Sequence, residues 1–385
     1  MSSAVRSLYV HIPFCERKCS YCDFMSVGTT HGEREYTAAL RAELRHLSAS
    51  LPHTTLETIF FGGGTPGLLD LRLLASIMDE IRGGFAIAPD AEITLEANPS
   101  STDEARATAW LGAGFNRVSV GVQSLEPDIL AFLDRVHSAS RAITALGEVR
   151  RAGFQAINCD LIYAVPSLDD ARWSATVARM LEADPGHLSC YELTVEEGTP
   201  LHVAVARGTV RTVDPDTALR QHWIAVEAAH AAGYRQYEIS NFARPGRECR
   251  HNLMYWSNGY YLAAGVGSHG NVPPDAAVAV GLRVEPGAAS VRHWHGRSIP
   301  RYIAAAMAGG HAVTGQESVT PDLAEAERVM LGLRLNRGVA LAGNQVGAAA
   351  ALVDAGLLVL DGENAQVTRR GQEVLNSVAL RLCAV

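Results

Sequence analysis

Leu8-Tyr9-Val10-His11-Ile12-Pro13-Phe14-Cys15-Glu16-Arg17-Lys18-Cys19-Ser20-Tyr21-Cys22 reads as a short apolar strand followed at once by three cysteines. Residues 8–12 are the aliphatic and aromatic types that favour a strand, and Pro13 ends it. The C-x3-C-x2-C run that follows crowds three of the seven cysteines into one loop, while Cys159, Cys190, Cys249 and Cys383 are scattered. In a reducing compartment scattered thiols are ordinarily inert core groups, and a crowded trio points to metal. Three thiolates on a short loop can ligate three corners of a cubane iron–sulfur cluster and leave the fourth iron open to a non-protein ligand. A zinc knuckle with His11 as a further ligand is the alternative, because structural zinc takes four ligands.

Outward from this loop, strand-like runs recur at 58–61, 92–95, 117–121, 156–162 and 187–193. Stretches of helical periodicity separate them, beginning with Tyr36, Leu40, Leu44 and Leu47. Strand and helix in alternation mean parallel βα units. Six units are too few for a closed eightfold barrel, so the expectation is an α/β fold built as a partial parallel (β/α)6 barrel, with a doubly wound sheet as second choice. The barrel is expected to occupy residues 1–240. Residues 241–299 read as a connecting segment, dense in Asn, Gly, Arg, His and aromatics from Asn241 to Asn271 and irregular around Pro273, Pro274 and Pro286, and 300–385 as a smaller, mainly helical, winged-helix-like carboxyl-terminal domain with a helix over 325–335.

Composition narrows the function. With 48% hydrophobic residues the chain can bury a sizeable core. Its net charge of -8 argues against a partner recognised through a phosphate backbone, so nucleic acid is excluded. The cations are almost all arginine, with Lys18 the single lysine. Neither a secretory signal nor an apolar run of roughly 18 residues is visible, so the expectation is a soluble cytoplasmic protein.

In a parallel barrel the working residues sit at the carboxyl ends of strands. Here those ends carry Gly62-Gly63-Gly64-Thr65-Pro66, Glu96-Ala97-Asn98-Pro99, Gly121-Val122-Gln123-Ser124, Asp160 and Tyr191-Glu192. Glycine lets backbone approach a ligand, and carboxylates can accept hydroxyl hydrogen bonds. Converging on the mouth that holds the cysteine loop, these ends make a ligand-binding constellation.

C-x3-C-x2-C with an aromatic before the last cysteine resembles the signature of radical S-adenosyl-L-methionine (SAM) enzymes. That resemblance implies a [4Fe-4S] cluster on Cys15, Cys19 and Cys22, whose open iron is chelated by SAM and whose electron cleaves it to a 5'-deoxyadenosyl radical. The stretches 8–15, 62–66, 116–124 and 158–163 further resemble oxygen-independent coproporphyrinogen III oxidase and its relatives over nearly the whole chain. By motif, this resemblance places Tyr9, Gly63, Gly64, Thr65, Glu96, Gln123, Arg135 and Asp160 around SAM. Two departures separate the chain from the oxidase: Phe24 stands where the oxidase has a fourth cysteine, and there is no room for its longer amino-terminal arm. Both match the heme-chaperone branch of the family, as does His251-Asn252-Leu253-Met254-Tyr255-Trp256.

The resemblance thus implies a protein that binds cluster, SAM and heme and passes heme to a recipient, a membrane-associated one among the candidates. Homodimers are left open, and coproporphyrinogen oxidase activity is not expected. The alternative is that oxidase, or another radical reaction on a tetrapyrrole-like substrate. His251 is the expected axial heme ligand, with Tyr255, Trp256, Tyr260 and Tyr261 available to the porphyrin face, Arg247 and Arg250 to its propionates, and Cys249 as an alternative thiolate ligand. Elsewhere His293-Trp294-His295 could form a surface metal site. Ala164 replaces the family's usual glycine after Tyr163, which is expected to alter little.

Overall fold

The computed structural model describes residues 5–383. Six parallel strands, β1 (Ser7–Ile12), β2 (Thr55–Gly63), β3 (Ala86–Ala97), β4 (Arg117–Gln123), β5 (Ala156–Tyr163) and β6 (Gly186–Glu192), pair in chain order. Helices α1 (Glu33–Ser50), α2 (Leu71–Gly84), α3 (Glu104–Gly112), α4 (Pro127–Phe132), α5 (Ala139–Arg151) and α6 (Asp170–Glu182) fill the crossovers. Consecutive pairing without a reversal of order is that of an open barrel and excludes the doubly wound alternative. The crossover helices start where a short polar side chain caps them: Asp70, Asp103, Ser138 and Asp169 accept from the first free amides of α2, α3, α5 and α6.

The strands alternate sharply. Leu8, Val10, Ile12, Phe61, Leu95, Val118, Val120 and Leu161 are completely buried in the core shared with the helices. Their neighbours point to the other face, and the registers Ser7↔Thr58↔Glu92, Tyr9↔Phe60↔Thr94↔Arg117 and Ser119↔Asn158↔His187 align them into polar rows lining the barrel interior. A parallel sheet covered on both faces ordinarily reads as continuous apolar strands. A polar inner row instead marks an interior built to hold something other than oil.

The sheet continues past the six strands. β7 (Arg235–Gln236) and β8 (Asn241–Ala243) run antiparallel beyond β6. At the other edge β9 (Tyr261–Ala264) lies parallel to β1 and leads through β10 (His269–Val272) and β11 (Ser290–His295) to β12 (Val313–Val319). The segment expected as a connector is therefore woven into both edges of the barrel sheet. The boundary expected at 300 also shifts, since helix Ile299–Gly309 packs with the main core and β12 pairs with β11. A second core around Val329, Leu333, Leu352, Leu358 and Val378 belongs to the winged-helix-like unit. It comprises helix Pro321–Gly332, helix Gly343–Asp354, hairpin Leu358–Asp361 with Asn364–Val367, and helix Leu375–Cys383. The first of these begins earlier than expected because Thr320 caps it. Among the described residues no helix is long and apolar enough to cross a membrane.

A buried ion pair ties the extra strands to the barrel. Glu43 on α1, 2% exposed, accepts from His295 Nε2, from Tyr302 Oη at 2.6 Å and from the Gly265 amide at 2.8 Å. The other ring nitrogen of His295 meets Ser268 Oγ at 2.9 Å. Burial pushes the Glu43 carboxyl up, but the His295 charge and three donors hold it below its ordinary value. Burial pushes His295 down, and Glu43 holds it above. This pair also defeats the surface metal site weighed for His293-Trp294-His295, since His293 and His295 are 3% and 2% exposed.

Two stability predictions follow from these contacts. The Glu43 contribution is present above the usual carboxylate range and lost as pH falls through its depressed value. That of His295 is complete below about 6.5 and lost as pH rises through its elevated value. Urea unfolding near pH 6 should show His295→Ala losing about 3–5 kcal/mol, since Glu43 is left charged and unpaired. Ala164, at φ 55°, stands in the left-handed region that glycine occupies freely, so the replacement of glycine there is a strained one. Ala164→Gly should raise stability by about 1 kcal/mol in the same measurement.

Candidate functional site

The cysteine loop leaves the carboxyl end of β1 and is closed at its base by Val27 N–H to Pro13 O, 2.8 Å, and Cys15 N–H to Val27 O, 2.9 Å. Separate elements pin it in between. Ser20 donates its amide to Asp134 Oδ2 at 2.9 Å, and its carbonyl accepts from Leu201 N–H at 3.0 Å at the start of helix α7 (Pro200–Ala206). Asp23 pairs with Arg297, 3.1 Å, from the turn after β11. His11 Nε2 donates to Met25 O at 2.7 Å, which leaves Nδ1 to accept from Tyr9 Oη at 3.1 Å. Burial lowers the His11 pKa to about 4, so the ring is neutral as this pattern requires.

Two of the cysteine sulfurs have side-chain donors. Thr65 Oγ1 stands 3.6 Å from Cys15 Sγ and Arg135 Nη1 3.8 Å from Cys19 Sγ, while the Phe24 backbone favours the charged form of the Cys22 thiol. The thiols feel one another's charge, and burial above all pushes Cys15 and Cys22 up. Thiolates must form for cluster ligation, and donors aimed at sulfur suit them. This donor set fits an iron–sulfur cluster. It does not fit the zinc knuckle: both His11 nitrogens are occupied, and among the described residues no three His, Cys, Asp or Glu side chains converge as ligands of one ion.

The carboxyl ends of the strands carry the residues named for the mouth. Gly63, at φ 111°, lies under His11, where a Cβ would meet the imidazole at 2.4 Å. A Cβ on Gly64 would meet Phe14 O at 2.7 Å. These glycines therefore admit protein backbone and the His11 ring, and the N–H groups of Gly63, Gly64 and Thr65 donate to Glu96, Ile12 and Phe14. Glu96 is raised to about 8, first by burial and then by Asp160. Asp160 accepts from Ser119 Oγ and Asn158 Nδ2, both at 2.8 Å, and burial still raises it. Gln123 adopts φ 64°, and its buried Oε1 has no protein partner, the mark of a strand end strained toward a ligand. Arg135 donates to Asn98 Oδ1 and to Gly121 O at 2.9 Å, and Asn98 Nδ2 donates to Thr65 Oγ1 at 2.9 Å.

Asn98, Asp134, His11 and Arg297 also gather at the loop. The sequence offered His11 only as a zinc ligand and Asn98 only as part of a polar strand end. Asp134 and Arg297 carry no local signal, because their partners lie far away in the chain.

His251, the expected axial heme ligand, lies at the opposite end of the barrel from the cysteine loop. It sits on helix α9 (Arg250–Trp256; α8 is Pro215–Ala231), 1% exposed, with Nδ1 2.8 Å from Thr58 Oγ1 and Nε2 3.0 Å from Tyr255 Oη. Its ring stacks on Phe60 at 5.2 Å. Thr58 is level with Ser7, at the amino-terminal end of the barrel and about 16 Å along the strand from the cysteine mouth at ~3.3 Å per residue. Burial, with Arg117 nearby, lowers its pKa to about 3. The motif histidine closes the barrel floor and offers no free nitrogen. Cys249, fully buried with its thiol on Glu92 and pushed up to about 12, offers no free thiolate. The expected propionate partner Arg250 pairs with Asp90. Glu92 also accepts from the first amides of α9, each at 3.0 Å. The helix's far end meets the winged unit, where Arg334 lies 5.6 Å over Trp256, Arg337 donates to Ser257 and Asn258 to Ala324 O.

Glu96 generates a pH prediction. Its folded pKa lies above its unfolded value, so the protein without cofactors should lose stability as pH rises from about 4.5 to 8, by at most ~1.4 kcal/mol per unit from this group. Thermal melts across that range should show the slope flattening in Glu96→Gln.

Residues 9–180 match the Radical SAM superfamily. The chain is 38% identical to the heme chaperone HemW of Mycobacterium tuberculosis (strain ATCC 25618 / H37Rv) over 97% of its own length and 94% of that protein's. It is 39% identical to the heme chaperone HemW of Escherichia coli (strain K12), over 71% of this chain and 72% of that one. Among solved structures, coproporphyrinogen III oxidase (HemN) from Escherichia coli, a radical SAM enzyme, superposes with a TM-score of 0.82 at 22% identity, covering 99% of this chain and 90% of that one, a likeness of fold. The cysteine loop on the open barrel and this near full-length similarity agree: the chain belongs to the HemW family of radical SAM proteins.

Proposed function

We propose that this protein is a heme chaperone of the cytoplasm: it binds a [4Fe-4S] cluster, SAM and heme, and hands heme to a recipient protein. The observation that carries the reading is the similarity, along nearly the full length of both chains, to proteins named for that role. Cys15, Cys19 and Cys22 are the three cluster ligands, and the cluster would supply an open iron for SAM and a source of single electrons.

The chain's own residues do the rest. Thr65 and Arg135 steady two of the sulfurs. Gln123, Arg135, Tyr9, Gly63, Gly64, Glu96 and Asp160 are the residues that would surround SAM, as the family motif implies. Glu96, poised near 8, becomes an anion readily when a cationic group such as a sulfonium or ammonium comes beside it. Phe24, standing exposed where the oxidase has a cysteine, argues against decarboxylation of coproporphyrinogen.

The test is an anaerobic heme titration of cluster-reconstituted protein followed by its Soret band, then transfer to an apo-hemoprotein. Saturable binding and transfer are expected. Absence of saturable binding, or SAM-dependent loss of carboxylates from added coproporphyrinogen, overturns the reading. His251→Ala should bind heme as the wild type does while melting at lower temperature, because its ring packs the barrel floor.

A further inference from the structure

The cysteine loop presents one large aromatic to solvent. Phe24 is 68% exposed, in a chain whose other phenylalanines are largely buried. Its neighbourhood is fixed: its carbonyl accepts from Ser26 Oγ at 3.4 Å, Asp23 before it pairs with Arg297, and the Met25 carbonyl after it is held by His11. The ring is therefore displayed by a pinned backbone, and a ligand docking on it loses little ordering entropy.

Lys18 stands exposed on the same loop, where the backbone of Arg17 and Lys18 packs against Gly28 on the returning arm of the loop, a Cβ there meeting Lys18 N at 3.2 Å. It is the single lysine of the chain. Neither Lys18 nor the neighbouring exposed Arg17 forms an ion pair among the described residues; of the two carboxylates on the loop, Asp23 is matched by Arg297, and exposed Glu16 leaves the two cations in excess. On a protein of net charge -8, two free adjacent cations beside a displayed aromatic form a spot complementary to a flat apolar ring system with acidic side groups. A cargo that must be handed on is better met at a surface than in the barrel, whose floor His251 closes.

We propose that heme docks on the outer side of the cysteine loop, its porphyrin face on Phe24 and its propionates toward Lys18 and Arg17. This rests on the heme-binding reading above and adds the place.

The experiment uses full-length protein with reconstituted cluster and heme as the probe. Lys18 and the chain's α-amine are the sites open to an amine-reactive ester, so peptide mapping with and without heme reads the loop on unaltered protein. Saturating heme should protect Lys18 from labelling. Soret titrations should show Phe24→Ala weakening heme roughly ten-fold. Lys18→Gln should weaken it several-fold and Lys18→Arg restore it, all with wild-type iron content. If Phe24→Ala fails to load its cluster, Phe24→Leu, which keeps the apolar bulk and removes the stacking face, takes its place. Unprotected Lys18 together with unchanged affinities in wild-type-loading variants overturns the location and leaves the chaperone reading standing. Wild-type protein without saturable heme binding overturns both.

Discussion

The His11 imidazole is the joint between the barrel and the chemistry at its mouth. It stands on the inner face of β1, one nitrogen on Tyr9 and the other on the backbone just past the last cluster cysteine. The register of β1 on β2 puts Gly63 opposite Ile12 and next to that ring, and only a residue without a side chain leaves room for it. Strand pairing, the glycine run and the path of the cysteine loop are thus one constraint. Behind it, Tyr36 Oη donates to the His11 carbonyl at 2.7 Å, tying α1 to the same point.

The barrel interior is charged but guarded. Arg117, 3% exposed, stands on the inner row near Glu92 and Asp160 without an ion pair among the described residues, and its field opposes the upward push of burial on Asp160 and Glu96. Groups left this way respond strongly to whatever charge enters next to them, since little water is present to screen it. A cationic ligand therefore finds carboxyls that can be switched to anions, a softer receptor than a fixed ion pair.

Much of this was legible from the sequence because it is local. β-branched runs marked every barrel strand, and the cysteine spacing with the polar strand ends marked the mouth. What escaped was set by distant partners. The stretch from Asn241 to Asn271 has the composition of a loop, yet Tyr261–Ala264 becomes a strand because β1 offers it an edge. A histidine among aromatics carries no mark of its partners, and Thr58 and Tyr255, which meet the two nitrogens of His251, come from a distant strand and from the next turn of its own helix. Arg297 lies 274 positions from Asp23 and leaves no mark in any window of residues.

Helix α9 gives the molecule a lever. One end is gripped by the Glu92 carboxylate inside the barrel, the other by Arg334, Arg337 and Ala324 of the winged unit. Its pivot is the His251 ring wedged on Phe60. The barrel end of the helix thus meets β3, whose opposite end carries Glu96. The winged unit is joined to the barrel at this floor, at the bridge between Glu238 and Leu335, and across the surface through Arg292 with Glu327 and Arg369 with Glu227.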